Sequence, residues 1–194
     1  MEYRIGILLF DEVETLDFAG PFEVFTMASR FVSECDLRVF TIAEQSPVEA
    51  VGGLSISAEY NLEDRPKPHV LVVPGGQGTR RAMRNQAVLE WLRDRAGRAD
   101  LVLSVCTGSL LLGAAGLLDG REATTHRDAL DLLRETAPKC SVIEGKRFVE
   151  SGKVVCAAGV AAGIDASLHV VARLFGEDVA RQTVEQMEYV WHPE

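Results

Sequence analysis

The chain has no apolar run approaching the roughly twenty residues that cross a bilayer, so nothing in it reads as a membrane span. It also has no excess of positive charge: 20 Lys and Arg stand against 29 Asp and Glu, a formal charge of −9. Nucleic acid and anionic membrane surfaces call for a basic face, so neither is an expected partner. Cysteine is scarce: Cys35, Cys106, Cys140 and Cys156 lie far apart, with no CxxC pair. That spacing excludes a zinc knuckle and a thioredoxin-like motif, and so few cysteines in this length argue against a disulfide scaffold. No repeat, low-complexity tract or linker divides the chain. Met1-Glu2-Tyr3-Arg4 runs into an apolar stretch without the layout of a signal peptide. These absences predict one domain over residues 1–194, cytoplasmic, with reduced thiols and small-molecule partners.

What is present is core-forming material: 47% of the 194 residues are hydrophobic, enough to bury a sizeable interior. Residues 5–10, 70–73 and 101–103 are continuous apolar runs, the pattern of strands buried on both faces. A further strand is predicted over 37–43. Hairpins are predicted around Gly52-Gly53 and Ser151-Gly152. Helical stretches are predicted over 22–28, with Pro21 in the first turn, and over 79–84, 87–96, 110–115, 127–136, 164–175 and 177–189. Strands alternating with helices predict an α/β fold, a mostly parallel sheet with helices on both faces. Ligands in such sheets collect at the carboxyl ends of the strands, here after Phe10, Val73, Cys106 and Ala158.

Ser104-Val105-Cys106-Thr107-Gly108-Ser109 lies between a predicted buried strand and a predicted packed helix. A cysteine there, flanked by small residues, has the sequence form of a nucleophile elbow. The helix N-terminus beside it is expected to favour thiolate; the competing reading is an inert, buried cysteine. Asp17, an isolated charge between Leu16 and Phe18 just past the first strand, is the expected acid partner, although Asp also favours the N-cap of a helix. Glu14 and Glu23 are weaker rivals. His126 reads either as a base that orients or deprotonates the cysteine or as a plain structural histidine. Gly75 and Gly76 end a strand at the same edge, where their N–H groups, with that of Thr107, are expected to form an oxyanion-type pocket; Pro-Gly-Gly is also an ordinary turn. His192-Pro193-Glu194 has the look of the remainder of a glutamine-amidotransferase triad, but it follows a helix, where fraying is expected. Cys35, Cys140 and Cys156 are read as packing residues.

Taken in order, Leu16-Asp17-Phe18-Ala19-Gly20-Pro21, Val73-Pro74-Gly75-Gly76, Ser104-Val105-Cys106-Thr107-Gly108, Ala123-Thr124-Thr125-His126 and Gly159-Val160-Ala161-Ala162-Gly163-Ile164-Asp165 resemble the ThiJ/PfpI superfamily across nearly the whole chain. The resemblance implies a flavodoxin-like three-layer sandwich of the class I glutamine-amidotransferase type. Within it, the likeness is to the isocyanide hydratases and to the N-terminal domains of AraC-type regulators. It implies a homodimer, no cofactor and no metal. It also implies that Cys106 attacks a small-molecule electrophile, an isocyanide carbon, with Asp17 moving protons and Thr107 bonding near the reacting group. Peptidase-like members carry a histidine directly after the cysteine. Thr107 stands there instead, which argues against protease or deglycase chemistry. Arg127 follows His126 where relatives often have an aromatic residue. A ligand or redox sensor and a glyoxalase-type enzyme are the alternatives on the same scaffold.

Overall fold

The apolar runs assemble into one seven-stranded sheet in the computed structural model, which describes residues 2–64 and 67–193. The chain order is β1 (Glu2–Leu9), α1 (Thr15–Ala28), β2 (Asp36–Ala43), β3 (Val48–Glu49), β4 (Ser55–Ile56), β5 (Tyr60–Asn61), β6 (Val70–Val73), α2 (Thr79–Ala82), α3 (Gln86–Arg98), β7 (Leu101–Val105) and α4 (Gly108–Ala114). It continues with β8 (Glu122–Ala123), a 3-10 turn (Arg127–Ala129), α5 (Leu130–Thr136), β9 (Ser141–Val142), β10 (Phe148–Ser151), β11 (Val154–Ala157), α6 (Ala162–Phe175) and α7 (Glu177–Gln186). The sheet order is β10-β11-β7-β6-β1-β2-β5, parallel throughout except for the β10–β11 hairpin at its edge.

Strand periodicity explains the layers. Val70 and Val72 of β6 point to one face and pack with Phe25 of α1, Val170 of α6 and Ala180 of α7. Leu71 and Val73 point to the other face, toward Leu92 of α3, Leu111 of α4 and Leu133 of α5. Both faces are covered, so the fold is a flavodoxin-like three-layer α/β sandwich. The hairpin predicted around Gly52-Gly53 is present as antiparallel β3 and β4. Among the described residues no helix is long and apolar enough to cross a membrane.

From β1 the chain moves to β2 on one side and later to β6 on the other, which makes the β1–β6 boundary the switch point of the sheet. The loops after these two strands are stitched together there: Val13 bridges Gly76, and the Glu14 N–H donates to the Gly75 carbonyl at 2.9 Å. The loop after β1 is shorter than the sequence pattern implies, so α1 begins at Thr15 and Pro21 lies at its seventh position, not in its first turn. The missing Pro21 N–H would have bonded the carbonyl of Asp17, four residues back. Burial of Phe18, Val24 and Phe25 offsets that loss. The helix predicted over 127–136 begins as a 3-10 turn, and the one predicted over 79–84 closes at Ala82.

Candidate active site

Cys106 follows β7 directly with φ of 55°, the left-handed conformation that costs a side-chain-bearing residue ~1–2 kcal/mol. The surrounding main chain holds it there. Its N–H donates to the carbonyls of Ala157 (3.1 Å) and Ala158 (2.8 Å), at the end of β11. Its carbonyl accepts from the Thr125 hydroxyl at 2.9 Å and the Ser109 hydroxyl at 3.3 Å. The turn after it is too tight for a side chain: a Cβ on Gly108 would sit 2.0 Å from the Val73 carbonyl oxygen. The strand-to-helix elbow expected from the sequence is therefore present, with Cys106 only 7% exposed.

The expected acid partner stands opposite. Asp17 is the third residue of α1, not its N-cap, a position taken by Glu14; it is fully buried. Its Oδ2 accepts the Gly75 N–H at 3.1 Å, and its Oδ1 has no hydrogen-bond partner among the described residues. Burial pushes the Asp17 carboxyl up to about 7, against the Gly75 N–H and the Cys106 thiol, which favour the charged form, while the negative charge of Glu14 raises it further. Burial likewise pushes the Cys106 thiol up to about 11, and the Asp17 charge adds to this. The N–H groups of Val160 and Thr107 pull the other way without winning. Burial therefore opposes the thiolate that the helix N-terminus is expected to favour. α4 has only seven residues, and desolvation outweighs what its first turn supplies. Burial thus disfavours the charged form of both Cys106 and Asp17, and the charge on either one disfavours charge on the other.

The expected oxyanion pocket is not free. The Gly75 N–H is spent on Asp17, and the Gly76 N–H donates to the Thr107 hydroxyl at 3.0 Å. That hydroxyl also accepts from Thr79 at 3.3 Å and lies 3.2 Å from the Gly76 carbonyl. Thr107 thus braces the loop after β6 with its side chain and faces the sulfur with its N–H. A side chain on Gly75 would overrun the same atoms: its Cβ would lie 2.6 Å from the Thr107 nitrogen and 2.7 Å from Asp17 Oδ2.

His126 lines the Cys106 pocket but makes no hydrogen bond to the sulfur. Its Nδ1 accepts the Asp128 N–H at 3.2 Å, so it caps the 3-10 turn, and the other side of its ring packs on Gly159. The pocket, about 190 Å³, is also lined by Glu14, Arg80 and Asp128. Glu23 is exposed on α1. The C-terminal tail is tied down instead of frayed. Buried Asp165 of α6 accepts from the His192 N–H at 2.9 Å and the Tyr189 hydroxyl at 3.2 Å, and pairs with Arg147. His192 is not among the residues lining the Cys106 pocket, and Glu194 lies outside the described residues. Cys156 is a core residue of the α3–α5 layer, and Cys35 and Cys140 pack against the cores. Among the described residues no group of three or more His, Cys, Asp or Glu is placed to hold a metal. No local pattern singles out Val160, Thr125 and Arg80. Their contributions come from an N–H, a main-chain brace and a pocket wall, none of which has a local signature.

Fold and elbow together define an α/β protein with a strained cysteine at the switch-point edge of its sheet, faced by a buried carboxyl. The model of the DJ-1/PfpI family matches residues 3–173, and the chain belongs to that family. It is 39% identical over its whole length to the isonitrile hydratase of Pseudomonas putida, covering 81% of that protein. It is 33% identical over 96% of its length to the HTH-type transcriptional regulator CdhR of Pseudomonas aeruginosa, of which it spans only 55%. Among solved structures, a ThiJ/PfpI family protein from Pseudomonas syringae superposes on the whole chain with a TM-score of 0.89 at 31% identity, over 77% of that protein.

Proposed function

We propose that the protein is a cysteine-dependent hydratase converting an isocyanide to an N-substituted formamide. The observation that carries this is Asp17: fully buried, coupled to the Cys106 thiol, with one carboxyl oxygen bound to Gly75 and the other left without a partner. A buried carboxyl held in that way is a proton carrier beside a nucleophile. The full-length likeness to an isonitrile hydratase supports the same reading.

The steps balance with these two residues alone. The Cys106 proton passes to the Asp17 carboxylate as sulfur attacks the terminal isocyanide carbon. Asp17 returns that proton to the same carbon, so a C–S and a C–H bond form and a thioimidate results. Water adds to this carbon; Asp17 takes one of its protons and delivers it to the imine nitrogen. The adduct collapses with cleavage of the C–S bond, and its hydroxyl proton returns to sulfur through Asp17. One isocyanide and one water yield one formamide, with both residues restored.

The homodimer implied by the resemblance belongs to this reading. Leu16, Val51 and Leu54 are exposed, and a Thr15–Val51 hydrogen bond of 3.3 Å joins the start of α1 to the β3–β4 turn. Sedimentation of wild type against Leu54→Asp checks it. The hydratase reading is tested by formamide release from simple alkyl isocyanides. Activity should vanish in Cys106→Ala and fall strongly in Asp17→Asn; no formamide from wild type over a broad panel defeats it. Burial, which raises this thiol, works against the redox-sensor alternative, because the thiolate is the form that peroxide attacks.

A further inference from the structure

The Cys106 pocket carries a cation that the proposed chemistry does not use. Arg80, on α2, is half-buried and lines the pocket. Among the described residues only its Nη1 is engaged, with the Thr79 hydroxyl at 3.2 Å and the Gly76 carbonyl at 3.4 Å. Gly76 lies in the loop that Thr107 braces, and Thr79, which opens α2, bonds the same Thr107 hydroxyl, so the guanidinium is anchored to the frame of the site. No carboxylate lies within ion-pair distance of Arg80 among the described residues. The neighbouring Arg81, by contrast, pairs with Glu12 at 2.9 Å. The acids on the pocket wall are placed differently. Asp128 is 77% exposed and lies 3.7 Å from Arg127 and 3.6 Å from His126. Glu14 sits on the Asp17 side, where its charge helps hold the proton on that carboxyl.

A guanidinium with one nitrogen tied to the frame and the rest of its fork open is built to take a planar anion by paired hydrogen bonds. We infer that Arg80 is a specificity residue that binds a carboxylate on the substrate, so that the natural electrophile is a small carboxylate-bearing molecule. The substrate's reactive carbon lies at Cys106 and its anionic end at Arg80. As to chemistry, this rests on the hydratase reading; as to recognition, it does not, since any electrophile attacked by Cys106 meets the same cation.

The test therefore uses the thiol itself. Iodoacetate and iodoacetamide are alkylating agents of nearly the same size that differ in charge; each forms a C–S bond to Cys106 and releases iodide. Rates at Cys106 are read by peptide mass spectrometry, which separates it from Cys35 and Cys140. Relative to a free thiol, the ratio of iodoacetate to iodoacetamide rates should be raised about tenfold or more in wild type and should collapse in Arg80→Met, with iodoacetamide little changed. Arg80→Lys should restore only part of it. Glu14→Gln should leave the preference in place. A wild-type ratio equal to that of a free thiol, or one unchanged in Arg80→Met, overturns the inference. A preference lost in Glu14→Gln but kept in Arg80→Met also overturns it. In parallel, isocyanoacetate should exceed its methyl ester in kcat/KM in wild type, with the order reversed in Arg80→Met. If neither isocyanide is hydrated while the alkylation preference holds, the hydratase reading fails and the carboxylate site stands.

Discussion

Asp17 makes the pH dependence of stability a direct probe of the site. In the unfolded chain its carboxyl has the ordinary value of 3.8; in the fold it titrates at about 7. Between those values the folded state binds more protons than the unfolded one, so this group makes stability fall as pH rises from about 4 to about 7, after which the loss is complete. Three pH units correspond to about 4 kcal/mol at 1.36 kcal/mol per unit. The neighbouring thiol and the Gly75 N–H relax with the charge, so about 2–4 kcal/mol is the expected range. Asp17→Asn removes this loss, because the amide oxygen keeps the Gly75 contact and never ionises. Its buried NH2 group carries a desolvation cost of about 1–3 kcal/mol, but that cost is the same at every pH. The quantity to measure is therefore a difference of differences: denaturant unfolding of wild type and Asp17→Asn, near pH 4.5 and near pH 8, at one protein concentration. The variant should gain about 2–4 kcal/mol on wild type between the two conditions, while its hydratase rate collapses. A stability difference that stays flat within about 1 kcal/mol refutes the claim that the fold holds a proton on this carboxyl.

The same pair predicts a kcat/KM profile for isocyanide hydration that rises through about pH 7, as the second proton leaves, and falls toward about pH 11, where the pair has no proton to deliver; a profile flat between pH 6 and 9 contradicts this. Thr125→Val removes the hydroxyl that holds the Cys106 carbonyl, which should cost about 1 kcal/mol of stability and lower kcat more than KM changes, read by unfolding and steady-state rates. Gly75→Ala pushes a methyl against the Thr107 nitrogen and Asp17 Oδ2, so activity should drop by at least about tenfold in a folded protein, checked by circular dichroism beside the assay.

Residues with a strong local pattern were legible in the sequence. The runs at 5–10, 70–73 and 101–103 are apolar at every position, the pattern of a short strand covered on both faces. Cys106 was legible because Ser104 and Gly108 flag the tight turn. Asp17 stood out as a charge where burial was expected. What the sequence hid depends on distance. The start of α1 moved because Val13 pairs with Gly76, 63 residues away, and shortened the loop. The balance at the thiol is also non-local: a helix N-terminus is visible in the sequence, whereas burial and the Asp17 charge, which oppose thiolate, and the Val160 N–H, which favours it, come from the fold. Gly75 and Gly76 looked like free N–H donors; only in three dimensions do Asp17 and Thr107 consume them.

That last point bears on which chemistry the site favours. Attack on an acyl carbon places negative charge on an adjacent oxygen, and catalysis then needs N–H donors aimed at that oxygen. Here the N–H groups after β6 are already committed, one to Asp17 and one to Thr107, while those of Val160 and Thr107 face the sulfur. What remains is a nucleophile and a proton carrier directed at a single point. An isocyanide carbon is attacked and then protonated at the same atom, so it asks for this pair and for no separate anion hole. Burial disfavours charge on both groups, and that fits as well: sulfur that attacks as Asp17 takes its proton delivers nucleophile and acid together, and the proton Asp17 gains is the one the carbon receives.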